Sequence, residues 1–347
     1  MGAQPTFAII DRCFKLASRL RGSDGLLNAT RFVFAAILTS LASTAVAQNY
    51  PVKPIRIISE YIAGAGGDVF FRPLASSLST ATEQQWIVDN RGGAGGLLAV
   101  EAVSRATPDG YTLLVASQNV PVTRRYLSKS KAVDPNVDLT PISALWRTTL
   151  VFATHPSLPP KSLQELIAYA KAHPGKVSYS SSGIGTQAHF AGANFANISG
   201  IDILHVPYNN NRQVTDVLAG DVPLTISIVS SVTPYTRAGR LRALAVAGHK
   251  RLEILPDVPM VSEVLPKFEP PPTWTALFAP PGLPKNILAR LHAAVAKTVA
   301  TPELRAKATA DGFELIGNTP EEFSAQLKRD IEVAGRLVKA AKIEPTD

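Results

Sequence analysis

Cysteine is almost missing from this sequence: Cys13 is the only one among 347 residues. It stands ahead of an expected cleavage point, so the processed chain has no disulfide, no thiolate nucleophile and no cysteine-ligated metal. The six histidines (His155, His173, His189, His205, His249 and His292) are scattered, with no i,i+4 pair to face one metal ion. H-E-x-x-H, G-x-S-x-G and a GKS or GKT phosphate loop are all absent, so metalloprotease, nucleophile-elbow and P-loop chemistry have no starting motif. No apolar run reaches the roughly 20 residues needed to cross a bilayer. There is no Lys/Arg block either, which removes the usual footprint of nucleic-acid binding.

What is present begins with an export signal. Arg12, Lys15, Arg19, Arg21 and Arg31 make the first stretch basic, and small and apolar residues run from Phe32 to Ser43. Ala45-Val46-Ala47 is the small-x-small pattern that signal peptidase reads, which assigns residues 1–47 to a signal peptide cleaved before Gln48. Cys13 does not directly follow the apolar run, so it is not placed as a lipoprotein cysteine, and a soluble periplasmic product is expected. Cleavage removes five basic and two acidic side chains, leaving 30 against 25 and lowering the net charge from +8 to +5. That balance suits attraction of an anionic small molecule. About 300 residues remain, more than one hydrophobic core usually serves, so two lobes are expected.

Strands and helices alternate along the processed chain. Ile55–Ser59, Trp86–Val88 and Thr112–Ala116 read as strands, with helical patterns at Val69–Leu78 and Leu97–Ala106 between them. The pattern restarts with strands at Thr149–Thr154, Val177–Ser180, Ile201–Val206, Leu224–Val229 and Leu241–Ala247. Ser162 and Glu165 form a capping box, a helix starts near Gln187, and Arg212–Ala219 is a helix ended by Gly220. Proline-rich Pro266–Pro272 crosses back to a strand at Trp274–Ala279. The tail is helical: Pro284–Ala300, Thr301–Ala310, and a last helix capped by Thr319-Pro320-Glu321-Glu322 that runs to about Ala341. Two βα layers with two crossings describe an α/β clamshell, each lobe a mostly parallel sheet flanked by helices. The expected division is 48–152 plus 273–347 for the first lobe and 153–272 for the second, with a cleft between them.

Two strand–glycine–helix junctions, one per lobe, carry the expected chemistry. The first runs from Tyr61 through Ala63, Gly64, Ala65, Gly66 and Gly67 to Asp68. The second contains Ser180, Ser181, Gly183, Gly185, Thr186, Gln187 and His189. Each places backbone N–H groups and the positive end of a helix at the carboxyl edge of a sheet, a ready-made anion site that glycine lets a ligand approach closely. Either junction is also readable as a tight turn with a helix cap. Gly183, Gly185 and Ala188 fit G-x-G-x-x-A, but the acid a dinucleotide needs about 20 residues on is not placed: Asp202 opens the next strand. Asp68, in the first turn of its helix, reads as an organiser of its loop, and His189 as a polar cleft or capping residue more readily than a general base. No cofactor and no catalytic residue is expected.

The order of several motifs resembles the extracytoplasmic solute receptors of tripartite tricarboxylate transporters, the TctC or Bug family. They are YPVKPIRII at 50–58, NRGGAGG at 90–96, PDGYTLL at 108–114, KSLQELIAYAKAHPGKVSYSSSGIGTQAHFAG at 161–192, HVPY at 205–208, AGRLRALAV at 238–246, LPDVPMVSE at 255–263, FAPPGLP at 278–284 and TPEEF at 319–323. The resemblance implies a two-lobed periplasmic-binding-protein fold, the Venus-flytrap type II arrangement. It also implies a small carboxylate ligand (a di- or tricarboxylate, an acidic amino acid or an aromatic acid) held by the two loops, with Tyr208 lining the cleft. Membrane permease subunits are the implied partners, and a monomer is expected. A sensory receptor serving a membrane histidine kinase would use the same physics, and an exported hydrolase depending on Ser181 or His189 is a remote third reading.

The sequence departs from the family pattern in the first loop. Ala63 stands for a proline, Ala65 for a glycine, and Gly67 for a residue that is often Thr. Ile62 and Glu60 sit where prolines are common, and Glu60 beside an anion site either faces away or favours a ligand carrying a cation. Asn209-Asn210-Asn211 replaces a Lys-Gly continuation after HVPY, and Pro223 replaces an aspartate.

Overall fold

The computed structural model describes residues 50–64, 66–93, 96–129, 133–208 and 211–345. The expected signal peptide and Ala65 lie outside the described residues. Residues Lys53–Asp347 form one unit that contains every strand and helix named below.

The first half builds βαβ units. Strand β1 (Ile55–Ser59) leads into α1 (Gly66–Thr82), β2 (Trp86–Asn90), α2 (Leu97–Ser104) and β3 (Thr112–Ser117). In β1 the side chains of Ile55, Ile57 and Ile58 are fully buried. An apolar, β-branched run of that kind suits a strand covered on both faces, and β1 pairs in parallel with both β2 and β3. A π-turn at Asn119–Thr123 and short α3 (Arg124–Leu127) precede β4 (Thr140–Thr148), and β5 (Leu150–Thr154) follows after one residue. The second half continues with α4 (Leu163–Ala172), β6 (Val177–Ser181), α5 (Gln187–Ser199), β7 (Ile203–Pro207), a 3₁₀ turn, α6 (Thr215–Ala219), β8 (Leu224–Ile228), α7 (Val229–Arg237) and β9 (Arg242–Ala247). After α8 (Val261–Val264) the chain returns through β10 (Trp274–Ala279), α9 (Lys285–Val299), α10 (Pro302–Ala310), β11 (Phe313–Leu315) and α11 (Pro320–Ala341).

Two sheets result, ordered β11-β4-β10-β3-β1-β2 and β7-β6-β8-β5-β9. Within each, three strands of a βαβαβ run are followed by a strand lent by the other half of the chain: β10 in the first sheet, β5 in the second. Both lent strands are antiparallel to their neighbours, so β1 to β4 share one direction, as do β6 to β9. This is the two-lobed fold expected from the resemblance. Because β4 ends at Thr148 and β5 starts at Leu150, all of Leu150–Thr154 belongs to the second sheet.

Each sheet has its own core. Leu114, Ala276, Phe278 and Phe323 are buried together in the first, and Phe152, Tyr179, Phe195 and Ile226 in the second. A third cluster joins Phe190 of α5 to Leu337 and Val338 of α11, so the chain's last helix braces the helix that follows the second glycine loop. Thr319 caps α11 as expected: its hydroxyl accepts the Glu322 amide at 3.2 Å while Glu322 accepts the Thr319 amide at 2.9 Å. At α4 only half of the expected box forms. Ser162 accepts from Glu165 N, but the Glu165 carboxylate accepts the Lys161 amide instead.

Candidate functional site

The first loop is organised around Asp68, whose side chain is buried at the start of α1. Its carboxylate accepts the Gly64 amide, the Asn90 amide nitrogen and Arg72 Nε, each at 2.8 Å. Burial works to raise the Asp68 pKa, but the Arg72, Gly64 and Asn90 bonds outweigh it and hold the carboxyl below its usual range. An ionised acid with all these donors already on it is an organiser. Asn90 Nδ2 also reaches the Tyr61 carbonyl, tying the loop to the end of β2. The Tyr61 ring lies against Gly67, where any Cβ would run into it, and its hydroxyl hydrogen-bonds Thr275 Oγ1 of β10. Gly67 is therefore required by the ring that fills the space a threonine would need. Ala63 and Gly64 are exposed, and Gly66 opens α1.

Glu60 is buried and does not line the cavity between the sheets. Its Oε1 accepts the Ser117 amide at 2.6 Å, and its side chain sits against Gly96 at the start of α2. Burial pushes its pKa up to about 7.

The second loop is held by a polar stack. The rings of His189 and His205 lie face to face 3.9 Å apart, and Tyr179 also stacks on His205. Thr186 caps α5 by accepting the His189 amide, and His189 Nδ1 accepts the Gly185 amide at 3.1 Å. That bond needs a lone pair on Nδ1 and so a neutral ring. Burial agrees, lowering the pKa of both histidines to about 4, with the neighbouring His189 a further cause at His205. Ser181 pairs with His205, not His189, at 2.6 Å. Ser180 Oγ donates to the Gln213 carbonyl. Gly183 takes φ +126°, and a Cβ there would stand 3.2 Å from the Tyr208 carbonyl, so glycine is needed for both conformation and space. Tyr208 turns its hydroxyl to Asp216 of α6 at 2.8 Å.

Between the sheets lies a cavity of about 870 Å³ at the carboxyl ends of β3, β4 and β8. Of the sequence-derived residues, Tyr61 and Gly67 line it, and the second loop reaches it through Gln187. Asp68, Ser180, Ser181 and His189 are buried behind their loops. Ala63, Gly64, Gly183, Gly185, Thr186 and Tyr208 are not on the cavity wall. Sequence reasoning missed Ser117 and Thr275 on the first side and Ser230, Ser231 and Arg237 of α7 on the second. The signal for α7 was a third strand-to-helix junction, β8 into Val229-Ser230-Ser231, lacking the glycines that marked the other two. Among the described residues no group of three His, Cys, Asp or Glu is placed to hold a metal.

Comparison with known proteins places this geometry in context. A family profile described as tripartite tricarboxylate transporter family receptor matches residues 70–343. Protein BugT of Bordetella pertussis (strain Tohama I) is 34% identical over 284 residues, spanning 81% of this chain and 85% of that protein. Among solved structures, R. palustris Rpa4515 with adipate superposes at a TM-score of 0.75 and 28% identity, covering 86% of this chain and 100% of that one. MatC (Rpa3494) from Rhodopseudomonas palustris with bound malate superposes at 0.70 and 26% identity, covering 83% and 100%.

Proposed function

The chain belongs to the tripartite tricarboxylate transporter receptor family, and from that membership and the shape of its cleft we infer that it captures a small carboxylate between its sheets and hands it to membrane permease subunits. The family is one of periplasmic solute-binding receptors, and among the described residues no helix is long and apolar enough to cross a membrane. The observation that carries the reading is the cavity itself. Its donors come from both sides: Ser117 and Thr275 from the first sheet, Gln187, Ser230 and Ser231 from the helices α5 and α7 beside the second. Among the described residues its one carboxylate, Asp311, is already paired with Lys307 at 3.2 Å. An anion entering there meets hydroxyls, amides and Arg237, and among the described residues no unpaired negative side chain. The neighbours carrying adipate and malate support a carboxylate as the ligand class.

Binding draws the sheets together because the ligand touches both only in the closed state, so its affinity difference between the states drives the shift. A hydrolase reading finds little support: Ser181 is fully buried, with its hydroxyl engaged by the Gly183 carbonyl and His205. Export through residues 1–47 completes the reading, and N-terminal sequencing of the secreted product is expected to begin at Gln48.

Thermal melting against mono-, di- and tricarboxylates, acidic amino acids and aromatic acids tests the function. A ligand at about 100 times its dissociation constant adds roughly 2.7 kcal/mol, a shift of several degrees. A flat panel on well-folded protein removes the carboxylate assignment.

A further inference from the structure

The cavity wall is richer in apolar surface than in charge. On the first-sheet side Phe70 of α1 is half-buried between two other rings. It stacks on Phe313 of β11 with centroids 4.0 Å apart, and it meets Trp146 of β4 edge-on at 5.1 Å. Val69, the residue before it, is 58% exposed and also lines the cavity. Apolar area left facing water in this way is worth about 25 cal/mol per Å² to a ligand that covers it. Phe70 and Phe313 are each half-buried and Trp146, nearly fully buried, backs them, so the parts of the two phenyl rings left open suit a further flat ring.

The charges point to a single anionic group. Arg237, Lys307 and Asp311 are the Arg, Lys, Asp and Glu side chains on the wall. Lys307 and Asp311 neutralise each other, which among the described residues leaves Arg237 as the one cation on the wall without an ion-pair partner. A second or third carboxylate would lose its hydration with no free cation to meet it.

Resting on the carboxylate-receptor reading above, we propose that this cleft selects a monocarboxylate with a ring-sized apolar body, aromatic or alicyclic, over compact di- and tricarboxylates. The Phe70–Trp146–Phe313 wall holds the body, and Arg237 serves the single carboxylate.

Calorimetric titration of the purified protein with benzoate, phenylacetate and cyclohexanecarboxylate, against malate, adipate and citrate, tests this. At least one ring acid is expected to bind about tenfold or more tighter than any of the three polyacids. Phe70→Ser is expected to weaken that ring acid about tenfold, the loss of roughly one ring contact, while shifting the polyacids little. Phe313→Leu makes the same comparison should Phe70→Ser fail to fold. Tighter binding of malate, adipate or citrate would overturn the selectivity and leave the carboxylate reading standing. Equal weakening of all acids in the Phe70 and Phe313 variants would also overturn it. Absence of binding by every acid to folded protein overturns both.

Discussion

Glu60 is buried with one carboxylate oxygen on the Ser117 amide and the other without a partner among the described residues. Its pKa rises from 4.5 to about 7 on folding, chiefly through desolvation. Between those values the folded chain holds more protons than the unfolded one, so this residue's contribution to stability falls as pH rises through the window. His189 and His205 act in the opposite sense. Their pKa values drop from 6.5 to about 4, so the folded chain holds fewer protons and stability is lost as pH falls below about 6.5. Glu60→Gln is therefore expected to raise the melting temperature at about pH 8 relative to about pH 5, unmasking the histidine dependence. An unchanged pH profile would remove Glu60 from this account. Gly67→Thr, which restores a common family residue, is expected to cost about 1–3 kcal/mol by forcing the Tyr61 ring off its Thr275 contact. Glycine in the loop was legible from the sequence, but its reason was not: the ring that requires it is six residues away and turned back across the loop.

At the scale of elements, α5 and α11 form the brace most open to test. Phe190 is buried against Leu337 and Val338, and it immediately follows His189 behind the second loop. Phe190→Ala is expected to lower unfolding free energy by about 3–5 kcal/mol in denaturant titration. Thr319→Ala, which removes only the α11 cap, is expected to cost about 1 kcal/mol. That cap was legible because Thr-Pro-Glu-Glu carries its own hydrogen-bonding partners within one turn. Helix α7 was not, since Val229, Val232, Thr233 and Thr236 are β-branched and Pro234 removes a backbone donor. It forms because Val229 and Val232 are buried against the second sheet, a gain that propensity does not contain. The pairing of Ser181 with His205 had a faint signal, as the parallel register sets Tyr179 opposite His205 and puts Ser181 two residues along the same face.

For the molecule as a whole, closure is the property that matters. X-ray scattering of the purified protein is expected to give a smaller radius of gyration at saturating ligand than without it, and an unchanged radius at full occupancy would exclude hinge closure. The single-residue step from β4 to β5 and the return into β10 are the two crossings about which the halves would move. The amino-acid order alone determined the alternation of strands and helices, the two glycine junctions, the capped final helix and the family, because each is written in spacing a few residues long. Only the tertiary structure decided which side chains face the cleft. Phe70, Trp146 and Phe313 come from distant parts of the chain and meet through the register of β4 with β11, where Trp146 pairs with Leu315 and Thr148 with Phe313. Long-range strand pairing of that kind leaves no local periodicity in the sequence. The residues that shape the cavity became visible only once the sheet had brought them together.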